Sequence, residues 1–150
     1  MNIKKQKQSV SSKIKQLAFW ERLTSKLREK EETPLTTRKP RPQHWHTFAS
    51  GVSGIGVHAV FNARDNRLVA ELYIVDDQKI FEILEKEKDK IEREFGEKFL
   101  WEPLPHRVAS RIKIVKENSF FEKEEKWDEY VEWLIEKLEK IYFVFNKRLK

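Results

Sequence analysis

From Trp127 to Leu149 an apolar side chain returns every three or four residues, through Tyr130, Val131, Leu134, Leu138, Ile141, Tyr142 and Phe145. This spacing predicts one long amphipathic helix whose stripe has to be covered, so the rest of the chain must supply a broad apolar surface. Ser119, with Glu122 three residues on, reads as a capping box that opens the helix. Alternation of apolar and polar residues suggests where the covering surface comes from. Strand signals run from His44 to Ser50, Ile55 to Phe61 and Arg67 to Val75. The turn-forming runs Gly51–Gly54 and Asn62–Asn66 separate them, which favours an antiparallel meander. The run Gly51-Val-Ser-Gly54-Ile-Gly56 lies between strands rather than before a helix, so it reads as a hairpin turn and not as a phosphate loop.

Upstream, Ser11 or Ser12 can cap a first helix reaching about Glu32, with Leu17, Trp20, Leu23 and Leu27 on one stripe. Residues 33–43 carry Pro34, Pro40 and Pro42, which stop that helix and keep the chain extended. After the meander, Asp76 or Asp77 caps a helix bearing Ile80, Phe81, Leu84, Ile91 and Phe95, stopped by Gly96. Two further strands read as Phe99 to Glu102 and Arg107 to Val115, broken at Pro103-Leu-Pro105. The order is helix, three strands, helix, two strands, helix. It predicts an α+β fold, a mainly antiparallel sheet with its helices packed on one face. The expected organisation is a basic, frayed N-terminus over 1–10 and a single domain over 11–150, with the basic Pro-rich linker 33–43 inside it.

Composition narrows the function classes. With no cysteine, disulfides and thiolate zinc sites are ruled out and an intracellular, cytoplasmic location is the expectation. No apolar run approaches the ~18 residues of a membrane span, and the start lacks the apolar segment of a signal peptide. The Lys/Glu-rich composition suits a thermophilic source as well as the helical surfaces of a mesophile. Charge is unevenly placed. Residues 1–43 hold 12 Lys/Arg against 4 Asp/Glu, whereas residues 44–150 hold 19 against 21. A neutral-to-acidic body with a basic front end is thereby expected, and the front end is the part suited to phosphate.

No complete catalytic motif is present, and no cofactor is expected. The helix–strands–helix order also suits a divergent PD-(D/E)XK-like nuclease, with Asp65 and Glu71 as metal-binding carboxylates and Glu21 as an addition. In that reading Tyr73 stands where the chemistry needs a lysine. The competing reading makes Glu71 a structural residue paired with Arg111, since both are mid-strand on the less apolar face. Arg107, Arg111 and Lys113 alternatively form a phosphate-contacting strip. His44 and His46 could ligate a metal with His58 or His106, but no second ligand pair is identifiable. Trp20, Trp101 and Trp127 read as core rather than base-stacking residues, while Trp45 and Trp133 are open to either role. Lys4, Lys5, Lys7, Lys13 and Lys15 lead into a linker carrying Arg38, Lys39 and Arg41, next to Trp45. A basic, Pro-stiffened arm beside an aromatic suits contact with a phosphate backbone.

One set of residues carries a family resemblance. Phe19-Trp20-Glu21 with Leu23, His44-Trp45, Gly51 and Gly54, and Val69-Ala-Glu71-Leu-Tyr73-Ile74 come first. Phe95-Gly96-Glu97, Leu100-Trp101-Glu102, Ser110-Arg111-Ile112, Trp127 and Trp133 follow. In order and spacing these resemble the family catalogued as domain of unknown function 4268, from Ile14 to Leu149. The resemblance implies a prokaryotic module, attached in some members to nuclease-like or restriction and defence proteins, with no activity established for the module itself. This chain would then be a standalone copy. The function expected is a non-catalytic accessory or binding module that meets DNA or RNA. The nuclease and a protein–protein adaptor serving a restriction or defence partner stand as alternatives, and the oligomeric state is left open.

Overall fold

A computed structural model describes residues 3–75, 77–103 and 109–149, with side chains from Val10 onward. Helix α1 (Ile3–Arg28) is followed by β1 (Trp45–Ala49), β2 (Ile55–Asn62) and β3 (Arg67–Val75). Helices α2 (Gln78–Lys86) and α3 (Lys88–Phe95) come next, then β4 (Leu100–Glu102), β5 (Ala109–Lys116), a 3-10 turn at Glu124–Lys126 and α4 (Trp127–Leu149). The strands form one sheet in the order β1-β2-β3-β5-β4, every neighbouring pair antiparallel. The architecture is α+β.

Period-two alternation sorts the sheet into two unlike faces. Val57, Ala59 and Phe61 of β2, Leu68, Ala70, Leu72 and Ile74 of β3, and Ile112 and Ile114 of β5 point to the helices and join one hydrophobic core. Helix α4 lies across β2 and β3 and buries Trp127, Tyr130, Val131, Leu134, Leu138, Ile141 and Phe145 there. Helix α1 adds Phe19, Trp20, Leu23 and Leu27, with Phe19 meeting Phe61 and Trp127 edge-on. Trp20 and Trp127 are each 1% exposed. Their indole N–H groups donate to the carbonyls of Gln43 (2.7 Å) and Phe121 (3.0 Å), which satisfies the polar edge of each buried ring. The opposite face carries no helix among the described residues.

Several boundaries differ from the sequence-based expectation. Helix α1 begins at Ile3, so Ser11 and Ser12 lie inside it. Lysine and glutamine are good helix formers and nothing in this stretch breaks the helix. Its last turn tightens at Glu29 and Lys30 rather than reaching Glu32. The single middle helix is two, because the apolar stripe lapses at Glu87 and Lys88 and the chain turns there to bring Phe81, Leu84, Ile91 and Phe95 all onto the core. Asp77 does cap α2, its carboxylate accepting from the Ile80 amide at 3.0 Å, and Gly96 ends α3 in the left-handed conformation, φ 98°. Ser119 and Glu122 form no capping box. Ser119 is fully buried, its hydroxyl donating to the Lys116 carbonyl and its amide to the Asn66 carbonyl, which ties the end of β5 to the β2–β3 turn. Helix α4 accordingly starts at Trp127.

Candidate nucleic-acid interface

On the helix-free face the strand register sets side chains in rows. One row runs Thr47–His58–Glu71–Lys113–Leu100, and the next runs Ala49–Gly56–Tyr73–Arg111–Glu102. Glu71 sits at the centre of this face, 1% exposed, on the floor of a cavity of about 330 Å³. His44, Trp45, His58, Val60, Tyr73 and Arg111 form its walls. Arg111 approaches Glu71 Oε1 at 3.7 Å and His58 Nδ1 approaches Oε2 at 3.7 Å. The expected Glu71–Arg111 pair is thus present, but 3.7 Å is beyond hydrogen-bonding range. Both Glu71 Oε1 and Arg111 Nε are buried without a hydrogen-bond partner among the described residues.

Electrostatics follow from this burial. Desolvation pushes the Glu71 carboxyl above the ordinary carboxylate range, with Arg111 and Lys113 pulling it back and Glu102 raising it further. Burial, and then the Arg111 and His46 charges, lower the His58 imidazole to about 4. His58 is therefore neutral at neutral pH, and its contact with Glu71 is not an ion pair. The ring lies flat against Tyr73, centroids 4.6 Å apart and planes 17° apart, and the Arg111 guanidinium covers the same tyrosine at 5.1 Å. Gly56 makes room for this stack. A Cβ at position 56 would lie 2.7 Å from His58 Nε2, so Gly56 belongs to strand β2 and to the site rather than to the hairpin turn.

A second cavity, about 310 Å³, adjoins the first at Trp45 and runs along the outer edge of β1. Arg38, Lys39, Arg41, Gln43, His46 and Thr47 line the rest of it. The three linker cations are exposed, and among the described residues none has a carboxylate within ion-pairing distance. Trp45, 37% exposed, is the wall common to both cavities.

The structure thus joins Arg38, Lys39, Arg41 and Trp45 in one place and Arg111 in the cavity beside it. Lys113 is turned to Glu102 at 3.1 Å, and Arg107 and His106 lie outside the described residues. The carboxylates of the nuclease alternative do not converge. Glu21 is exposed on α1 in the helical layer, across the sheet from Glu71. Asp65 caps the β2–β3 turn through Asn62, and Arg67, just past that turn, is already about 13 Å of strand from Glu71. Among the described residues no three of His, Asp or Glu form a set that could hold a metal. His46 faces the core against Trp20 and Phe48, whereas His58 faces the open side, so these two do not share a ligand set. Sequence reasoning missed the pairing of His58 with Tyr73 and the role of Gly56. Alternation along β2 could have put His58 beside Glu71, but the ring's fold back over position 56 is a tertiary detail.

No helix of the described residues is long and apolar enough to cross a membrane. Among curated proteins and solved structures, nothing matches the chain. The family model described as Domain of unknown function (DUF4268) matches residues 15–149, and the chain belongs to that family.

Proposed function

We propose that this chain is a non-catalytic module that binds single-stranded nucleic acid in the cytoplasm, along the surface where the linker meets the β1 edge. One observation carries the reading: three exposed linker cations, with no acidic partner among the described residues, line a cavity whose wall, Trp45, also lines the cavity of Arg111 and Tyr73. Cations free of internal partners are available to phosphates, and their binding releases condensed counterions. A half-exposed indole between two concavities can stack on an unpaired base, but finds no free base face in a closed duplex. Arg38, Lys39 and Arg41 would track the backbone, and Trp45 would take a base.

Fluorescence anisotropy with a labelled single strand and a labelled duplex, across a salt series, tests this. The single strand is expected to bind more tightly, with log K falling by about 0.7 per phosphate contact for each unit of log salt. Replacing Arg38, Lys39 and Arg41 together by Ala should flatten that slope by up to about 2. Absence of binding even at low salt would refute the reading. An unchanged slope in the triple variant would refute the linker as the contact surface.

A further inference from the structure

The site's selectivity can be inferred from the buried pair it leaves unsatisfied, Glu71 and Arg111, an inference that rests on the strand-binding reading above. Glu71 is 1% exposed, its Oε1 is buried without a hydrogen-bond partner among the described residues, and His58 Nδ1 comes no closer than 3.7 Å to Oε2. Leaving a buried polar group unpaired is costly, and more so for a charged one, so such a group marks a place where a partner is missing. Lys113, directly opposite Glu71 in the β3–β5 register, does not supply it, because Glu102 holds its ammonium. Arg111 comes no closer than 3.7 Å and leaves its own Nε unpaired. A partner with two adjacent N–H donors for the carboxylate and an acceptor for the guanidinium beside it would satisfy both groups.

We propose that the Glu71–Arg111 cavity is a recognition pocket for one unpaired guanine of the bound strand, with Glu71 accepting from guanine N1–H and N2–H and Arg111 donating to O6. Guanine alone among the bases presents two neighbouring donors followed by an acceptor on its Watson–Crick edge. Adenine and cytosine each offer a single donor group next to ring acceptors, and thymine or uracil offers one N–H between two carbonyls. A peptide guanidinium also carries paired donors, but it would bring a second cation against Arg111 and leave that residue with nothing to bond. Size agrees, since about 330 Å³ is at the low end of small-molecule sites and suits a single base. The walls agree as well. Trp45 and Val60 lie in the row on one side of Glu71 and Tyr73 in the row on the other, so the carboxylate lies between aromatic surfaces. The Arg111 side chain is 38% exposed and rests on Tyr73, free to follow O6 as the base enters.

The test compares three strands on the wild-type protein by anisotropy: an oligothymidylate, the same strand with one central guanine, and the same strand with inosine at that position. One guanine should tighten binding by about 5- to 150-fold, the range for a good bidentate base contact. Inosine lacks the 2-amino group and should lose most of that gain, a readout that needs no variant. Glu71→Gln, with folding checked by thermal melting, should lose the preference for the guanine strand over the plain one, because its amide donates where the carboxylate accepted. Equal affinity for the three strands would overturn the guanine pocket and leave strand binding standing. So would a preference that survives inosine or Glu71→Gln. If no strand binds at all, the strand-binding reading fails and the guanine pocket with it. Calorimetry showing that arginine amide binds more tightly than guanosine monophosphate would overturn the assignment in favour of a peptide.

Discussion

Helix α1 and the linker that follows it carry the same kind of charge and meet opposite fates. Along α1 and just past its end, Lys15 pairs with Glu122, Arg22 approaches Asp128 at 3.4 Å and Lys30 approaches Glu139 at 2.9 Å. All three acids lie in or just before α4, so these three cations are matched by acids of the last helix and its approach. In the linker, Arg38, Lys39 and Arg41 have no such partners among the described residues and line a cavity instead. A cavity of about 510 Å³, larger than either the linker cavity or the Glu71 cavity, lies between the end of α1 and α4. Four glutamates and two lysines line it with Ile135, a poor setting for a polyanion. Cavity size and local basicity are therefore weak guides to a phosphate site. The useful signal is a group of unmatched cations that line one cavity together.

The comparison breaks most visibly if the apolar contacts, rather than the ion pairs, do not hold α1 in place. Leu23 is fully buried, as is Leu138 on α4. Either residue changed to Ala should cost about 2–5 kcal/mol in chemical denaturation, and an unchanged midpoint would contradict the packing described. Next in size is the linker. Trp45→Ala should weaken single-strand binding by about 1–3 kcal/mol while barely moving the melting temperature, since the ring is partly exposed. Replacing Lys15, Arg22 and Lys30 together by Ala should do the reverse. It should leave the salt slope of binding unchanged and lower stability by at most about 1 kcal/mol per pair, as exposed ion pairs do. A flattened slope in that variant would put α1 back on the binding surface.

The smallest expected effect is in pH. His46 and His58 are both lowered to about 4, chiefly by burial, from an ordinary value of 6.5. Between pH 6.5 and about 4 the unfolded chain takes up protons that the folded one refuses, so stability falls as pH falls through that window. Glu71 works the other way. Its raised pKa means that the folded state holds a proton the unfolded state has released, so its contribution improves on acidification. Two histidines against one glutamate should leave a net loss. Melting at pH 5 should occur below melting at pH 7, with His58→Gln shrinking the difference and Glu71→Gln enlarging it.

Much of the fold was legible because it depends on periodicity. Arg67–Val75 emerges as a strand with the boundaries its alternation suggested, and the stripe from Trp127 onward forms the main core seam. Boundaries failed where the deciding contact is distant in sequence. Ser119 looks like a cap beside Glu122, yet its amide is taken by Asn66 across the sheet and Glu122 is drawn to Lys15. At the candidate site, alternation put Glu71 and Arg111 on one face. It could not show that their charged groups stop short of a hydrogen bond, or that Lys113 is diverted to Glu102.

What the amino-acid sequence determined by itself is therefore the class of structure and its supply of charge. Apolar residues at periods of two and three to four dictate strands and helices, prolines at 34, 40 and 42 dictate an extended linker, and the basic surplus is confined to the first 43 residues. Which of those charges remain available was decided only by the tertiary structure. Whether a cation is neutralised depends on the acids that folding brings within a few ångströms, and Coulomb attraction falls with distance in space, not with separation along the chain. Packing α4 against α1 paired Lys15, Arg22 and Lys30, and the path of the linker beside the β1 edge set Arg38, Lys39 and Arg41 together next to Trp45 with no ion-pair partner among the described residues.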